Sequence, residues 1–230
     1  MSRNLERLGV QKKVTQTEEQ PAVGLDFVVP TEFVDLPSKG VFYPEGHPLH
    51  GVDTIEMKQM TAKEEDILTN KSFIKKGILF DRLLSSIIMD KKIKPQDLLV
   101  GDRNALVMAA RISGYGEEYK TKVICPLCLS HNSETYDLEE IEGNGWEQKL
   151  EDTGVELDDS GLFVITLPKS GLTVKARPLN GHDEKALATL DESDTVTGQL
   201  KRFVVEVDGQ TDKKIINKFI DTMLARDAKY

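Results

Sequence analysis

Cysteine is almost missing from this 230-residue chain: Cys125 and Cys128 are its only two. That scarcity excludes a disulfide framework and turns attention to metal or redox chemistry at one place. Aromatic residues make up only 6%, with a single Trp, so no large aromatic ligand site is advertised. Basic residues are outnumbered by acidic ones, 30 against 39, for a formal charge of -9 and a pI near 5.1. The basic footprint of a general nucleic-acid binder is therefore lacking. No apolar run approaches the roughly 20 residues that span a bilayer. The opening MSRNLERLGVQKKVTQTEEQ has no hydrophobic core followed by a cleavage site, which predicts a protein working in a cytoplasm-like setting. No phosphate-cradling GxxxxGK[ST] or GxGxxG loop is present, and the four histidines form no HxH or HExxH set.

What is present divides into five stretches. Residues 1–22 are polar and read as a solvated tail, with Leu5, Leu8 and Val10 able to form one helical turn on a partner. Residues 23–60 carry Pro30, Pro37, Pro44 and Pro48 and read as an extended arm. Its Phe27, Phe33, Val41, Phe42 and Tyr43 need a surface. Two surfaces are open to them, the chain's own domain or a neighbour in an assembly. The second predicts that residues 61–225 fold without the arm. Residues 61–116 read as a helical domain, opened by the capping box Thr61-Ala-Lys-Glu64. Helices are expected up to Asn70, over Asp81–Met89, at Pro95, and from Gly101 or Asp102 to Gly114. Residues 117–180 read as a small β domain with short strands at Tyr119–Ile124, Glu134–Leu138, Phe163–Leu167 and Leu172–Ala176. An acidic connector, Glu139–Ser160, carries Trp146. Residues 181–230 return to helix, with starts at Asp183, at Asp194 or Thr195, and at Thr211 or Asp212. The closing ARDAKY reads as a helix cut short.

The most chemical feature is Cys125-x-x-Cys128, with His131 as a third donor at C-x2-C-x2-H. Thiolates at this spacing form a knuckle of the kind that supplies half of a tetrahedral zinc site. Three readings stay open: structural zinc with a fourth ligand from elsewhere, a reduced turn without metal, and a thiol redox pair. The last lacks the βαβ context and helix start of a thioredoxin-like site. A second cluster, Asp102, Arg103, Asn104 and Arg111, reads as a capped helix start with paired charges. It lacks the base, orienter and strained nucleophile of a catalytic site.

Four motifs in one order, LPSKGVFYPEGHPL, TAKEEDILTN, LLVGDRNALVMAARISGYG and VICPLC, resemble the baseplate hub and hub-assembly proteins of T-even-type contractile-tailed phages. The resemblance runs from Leu36 to Leu138 and returns at VDGQTDKKIINKFIDTMLARD. It implies a virion-assembly protein in the tail baseplate, built in the host cytoplasm, that is not an enzyme. Its partners would be other tail proteins or a second copy of the chain, without membrane or nucleic acid. The family's CxxC is matched by Cys125 and Cys128, while a second cysteine pair is lacking. Asp102, Arg103, Asn104 and Arg111 are carried over as fold or interface determinants, and Phe33, Leu36, Phe42 and Tyr43 of the arm are expected, with them, to bind partners. The fold expected is α+β: a helical N-terminal core, a small antiparallel β element with the CxxC knuckle, C-terminal helices and an extended N-terminal arm. A zinc-ribbon-like nucleic-acid module is the alternative, against which the charge counts.

Overall fold

A computed structural model describes residues 28–141, 146–189 and 195–230. The expected tail 1–22, the start of the arm with Phe27, and a helix start at Asp194 lie outside them. The described residues form an α+β fold with eight helices and three antiparallel sheets.

The first unit begins with strand β1 (Thr31–Asp35), paired with β2 (Thr54–Lys58) from Thr31 opposite Lys58 to Asp35 opposite Thr54. The alternation in β2 puts Ile55 and Met57 inside and their neighbours at the rim. Between the strands, the Pro-rich stretch folds back through successive turns and buries Leu36, Tyr43 and Leu49. Gly40 sits at φ +71 there, where a Cβ would lie 2.4 Å from the Val52 amide nitrogen. Helices α1 (Ala62–Leu68), α2 (Lys71–Lys75), α3 (Leu79–Ile87) and α4 (Val100–Tyr115) complete this unit. The Thr61–Glu64 capping box closes as expected. Leu83, Leu84 and Ile87 of α3, with Leu98, Leu106 and Ala110 from α4 and its approach, meet the buried side of the β1–β2 pair in one core.

This overturns the expected helical N-terminal core. Much of the first core comes from a β pair and its loop, because the prolines break helix without preventing burial, and Leu36, Phe42 and Tyr43 of the arm find their surface within the chain. Residues 28–60 are therefore part of the folding unit, and the expectation that residues 61–225 fold without them gives way. Two helix ends also move. Helix α4 starts at Val100 without a side-chain cap, and Asp102 lies inside its first turn. Gly114 stays helical and Gly116, at φ +84, ends the helix. The stretch at Pro95 is a turn rather than a helix, yet it delivers Leu98 and Leu99 to the core.

Strands β3 (Glu118–Ile124) and β4 (His131–Asp137) then form a separate two-stranded hairpin. After it come α5 (Trp146–Thr153), β5 (Glu156–Leu157), β6 (Phe163–Thr166), β7 (Thr173–Ala176), α6 (Gly181–Thr189), α7 (Val196–Phe203), β8 (Val204–Val207) and α8 (Lys213–Thr222). The strands lie in the order β5-β6-β7-β8. The expected C-terminal helices are thus interrupted by β8, which sequence periodicity assigns to helix because Leu200, Val204 and Val207 recur at helical spacing. In a regular strand Val204 and Val207 face opposite sides. A register shift, with Lys175 opposite Glu206 but Ala176 opposite Val204, lets both be buried. They pack with Leu167, Val174, Ile216 and Ile220 in a second core under α8.

Candidate partner-binding surface

The expected cluster at the start of α4 separates into three sites with different tasks. Asp102 is fully buried and accepts three hydrogen bonds from the arm: from Ser38 N at 2.9 Å, Ser38 Oγ at 2.6 Å and Tyr43 Oη at 2.7 Å. Tyr43 Oη in turn accepts from Leu99 N at 3.1 Å. Burial, and then the Asp102 charge, push the Tyr43 hydroxyl well above its ordinary pKa, so it stays a donor. Arg103 points elsewhere, with Nη2 2.8 Å from Asp81 and Nη1 3.6 Å from Glu184. It ties α3 and α6 to α4. Asp102, with Ser38 and Phe42, lies in the wall of a pocket of about 860 Å³.

Asn104 and Arg111 belong to a third site. Along α4, Leu99, Arg103, Leu106 and Ala110 follow the buried stripe, whereas Asn104, Met108, Arg111 and Tyr115 follow a second stripe one step around the helix. That second stripe forms one wall of an apolar groove of about 610 Å³. Met60, Leu68, Phe80, Leu83 and Val107 line it from the helical side, and Tyr119 and Leu138 from the hairpin root. Phe80, Met108, Tyr115 and Tyr119 all remain substantially exposed.

Arg111 fastens the hairpin to this groove. Its Nη1 donates to the Gly116 carbonyl at 2.9 Å and its Nη2 to the Glu118 carbonyl at 3.3 Å. The guanidinium also lies 5.0 Å from the Tyr115 ring centroid and 6.0 Å from that of Tyr119. Tyr115 is held in turn by its hydroxyl's hydrogen bond to Glu65, which raises its pKa. The expected carboxylate partner of Arg111 is replaced by carbonyls and ring faces.

The hairpin itself stands clear of the body. From Glu118 opposite Asp137 to Ile124 opposite His131, both strands are exposed on nearly every residue. Tyr119, Val123, Ile124 and Tyr136 present apolar area on it, as do Leu127 and Leu129 at its tip. Cys125 and Cys128 close that tip as free thiols. Hydrogen bonds from the Ser130 hydroxyl and backbone, and from Cys125, lower the pKa of Cys128. Among the described residues no three His, Cys, Asp or Glu side chains converge as a metal set. Among those residues His131 does not join Cys125 and Cys128 in a metal set, and the donors do not make the four ligands of a closed tetrahedral zinc site.

The four arm residues take different places. Leu36 and Tyr43 are core residues, and Phe33 is 71% exposed on β1. Phe42 stacks edge-on against Trp146, centroids 4.9 Å apart, and tilts against Phe163 at 5.2 Å. The groove was missed by sequence reasoning because its lining comes from five separate stretches. The one local signal was the 104, 108, 111, 115 stripe.

These features sit within a matched family. Comparison with protein families places the chain among the proteins of the bacteriophage base plate. It belongs to the T4 bacteriophage base plate protein family, whose model matches residues 28–162, more than half of the chain. The match takes in the first core, the groove and the whole hairpin. It ends before β6, so the motif at residues 207–227 lies beyond it. No curated protein and no solved structure gives a significant match to the chain.

Proposed function

We propose that this protein is a structural subunit of the phage baseplate, at the hub or in its assembly, which binds other tail proteins through the groove and the β3–β4 hairpin. The observation that carries this reading is the hairpin. A two-stranded sheet exposed on both faces is marginal in water by itself. Covering it with a neighbour would bury the apolar side chains at its root and along its strands. Arg111 joins hairpin and groove, so a partner would meet one continuous apolar surface. Exposed apolar surface of this kind marks an interaction site. The role is structural rather than catalytic.

The test uses the full chain with Met108→Glu or Tyr119→Glu. Both side chains are exposed, so folding should survive, with far-UV circular dichroism unchanged. Incorporation into baseplates, measured by complementing a phage that lacks the gene, should fall at least about ten-fold, as losing an interface contact worth more than ~1.4 kcal/mol requires. Wild-type incorporation of both variants would refute the surface.

A further inference from the structure

The hairpin tip carries chemistry that the groove does not use. Cys125 N donates to Ser130 O at 3.0 Å and Leu129 N to Cys125 O at 2.8 Å, which wraps the turn tightly. Leu129 takes φ +57 to close it, a left-handed backbone that a branched side chain rarely adopts. Cys128 is exposed, with its sulfur 3.1 Å from Ser130 Oγ, and Cys125 stands three residues before it in the same turn. The turn thus holds both cysteines at the tip of the β3–β4 hairpin.

Two donors are half a site. Zinc takes four ligands in a tetrahedron, and thiolates are among its preferred donors. No third ligand from the described residues joins Cys125 and Cys128. The strands β3 and β4 make their extensive contacts with each other, and among the described residues none brings a third donor to the tip.

Two features point to a second copy as the source of the other half. From Val123 to Ser133 the tip carries no Asp, Glu, Lys or Arg, so no formal charge sets one tip against another. The tip also leaves Leu127 95% and Leu129 72% exposed, apolar surface that a tip-to-tip contact would cover in both chains at once.

We propose that two copies of this protein join at their hairpin tips around one zinc ion, held by Cys125 and Cys128 of each chain. On binding, each of the four thiols releases its proton to solvent as its sulfur takes the metal. No electron is transferred and no other reactant is needed. The proposal does not rest on the groove as a docking site for other tail proteins. The Met108→Glu result can fail without touching it, and the reverse holds as well.

Native mass spectrometry of the full chain in a reducing buffer, with zinc chloride and then with a chelator, tests it. The expected result is a dimer carrying one zinc, which separates into metal-free monomers when the chelator is added. Cys125→Ser with Cys128→Ser should stay monomeric at every zinc level with an unchanged circular dichroism spectrum. His131→Ala should keep the wild-type stoichiometry. A monomer carrying its own zinc would overturn the proposal, as would a metal-free monomer in excess zinc. A dimer that survives the chelator would also overturn it. So would a chain that remains lighter by two hydrogens in the reducing buffer, which would assign the pair to an intrachain disulfide.

Discussion

Replacing Asp102 by Asn separates a helix cap from a tether. As a cap, Asn serves about as well as Asp, and the change would shift stability by no more than ~0.5 kcal/mol. The structure assigns Asp102 a different task, because both carboxylate oxygens are buried and take three hydrogen bonds from Ser38 and Tyr43. Bonds to a charged acceptor contribute about 1.5–3 kcal/mol each, and a stranded buried donor costs a similar amount. An amide of the same shape turns an NH2 group towards groups that themselves donate. At least one bond is lost, and the others lose the charge that strengthens them. The expected loss is about 2–4 kcal/mol, which lowers Tm by roughly 5–15 °C in a chain of this size. Urea unfolding followed by far-UV circular dichroism measures it, with the midpoint falling and the slope unchanged. Tyr43→Phe should lose about 1.5–3 kcal/mol, since it also removes the acceptor for Leu99 N. Because the two residues share a bond, the double variant should depart from additivity by at least ~0.5 kcal/mol. Wild-type stability of Asp102→Asn, or strict additivity of the pair, would refute the tether.

Three other perturbations test other parts of the fold. Burial pushes the Glu64 carboxyl up, but bonds from Lys58, Ser86 and Thr61 outweigh it and hold the pKa at about 2, against an ordinary 4.5. The fold therefore favours the ionised form, so this stabilisation is present above about pH 4.5 and disappears as pH falls through 2. It amounts to something on the order of 3 kcal/mol, and Glu64→Gln should flatten the acid limb of an unfolding-versus-pH curve; an unchanged limb would contradict the assignment. Gly40→Ala should cost more than ~2 kcal/mol, because its Cβ would strike the backbone at Val52 N and Leu49 O. Gly46→Ala, at φ +85 with nothing within 4 Å, should cost only ~1 kcal/mol by the same measurement. Phe42→Ala removes the edge-on partner of the single Trp146, and its fluorescence should shift to the red without loss of the far-UV spectrum.

Features set by neighbours in the chain were readable from residues alone. Thr61 and Glu64 cap each other across three positions, Asp212 caps α8, and the Pro168–Gly171 turn joins β6 to β7. The knuckle was legible for the same reason, since both sulfurs lie within four residues. What stayed hidden depends on partners far away. Asp102 looks like a cap until Ser38 and Tyr43 arrive beside it, and Arg111 looks like half of an ion pair until the hairpin root supplies carbonyls. Strand β8 needed the register shift opposite β7 to reveal itself. The prolines of the arm signalled extended chain correctly for β1 but could not say that the loop after it turns inward. The groove follows the same logic, because no single stretch holds its shape.

The tether between Ser38 and Asp102 also sets a timetable. The two residues stand 64 positions apart, and at a synthesis rate of about 5–20 residues per second the first waits roughly 3–13 s for the second. During that interval Leu36, Tyr43 and Leu49 have been made but lack α4 to close over them. The first unit closes only when α4 has emerged, and the hairpin is the next part to appear. Each new chain thus completes its first core just before it displays the element through which it would meet a neighbour, and its second core follows.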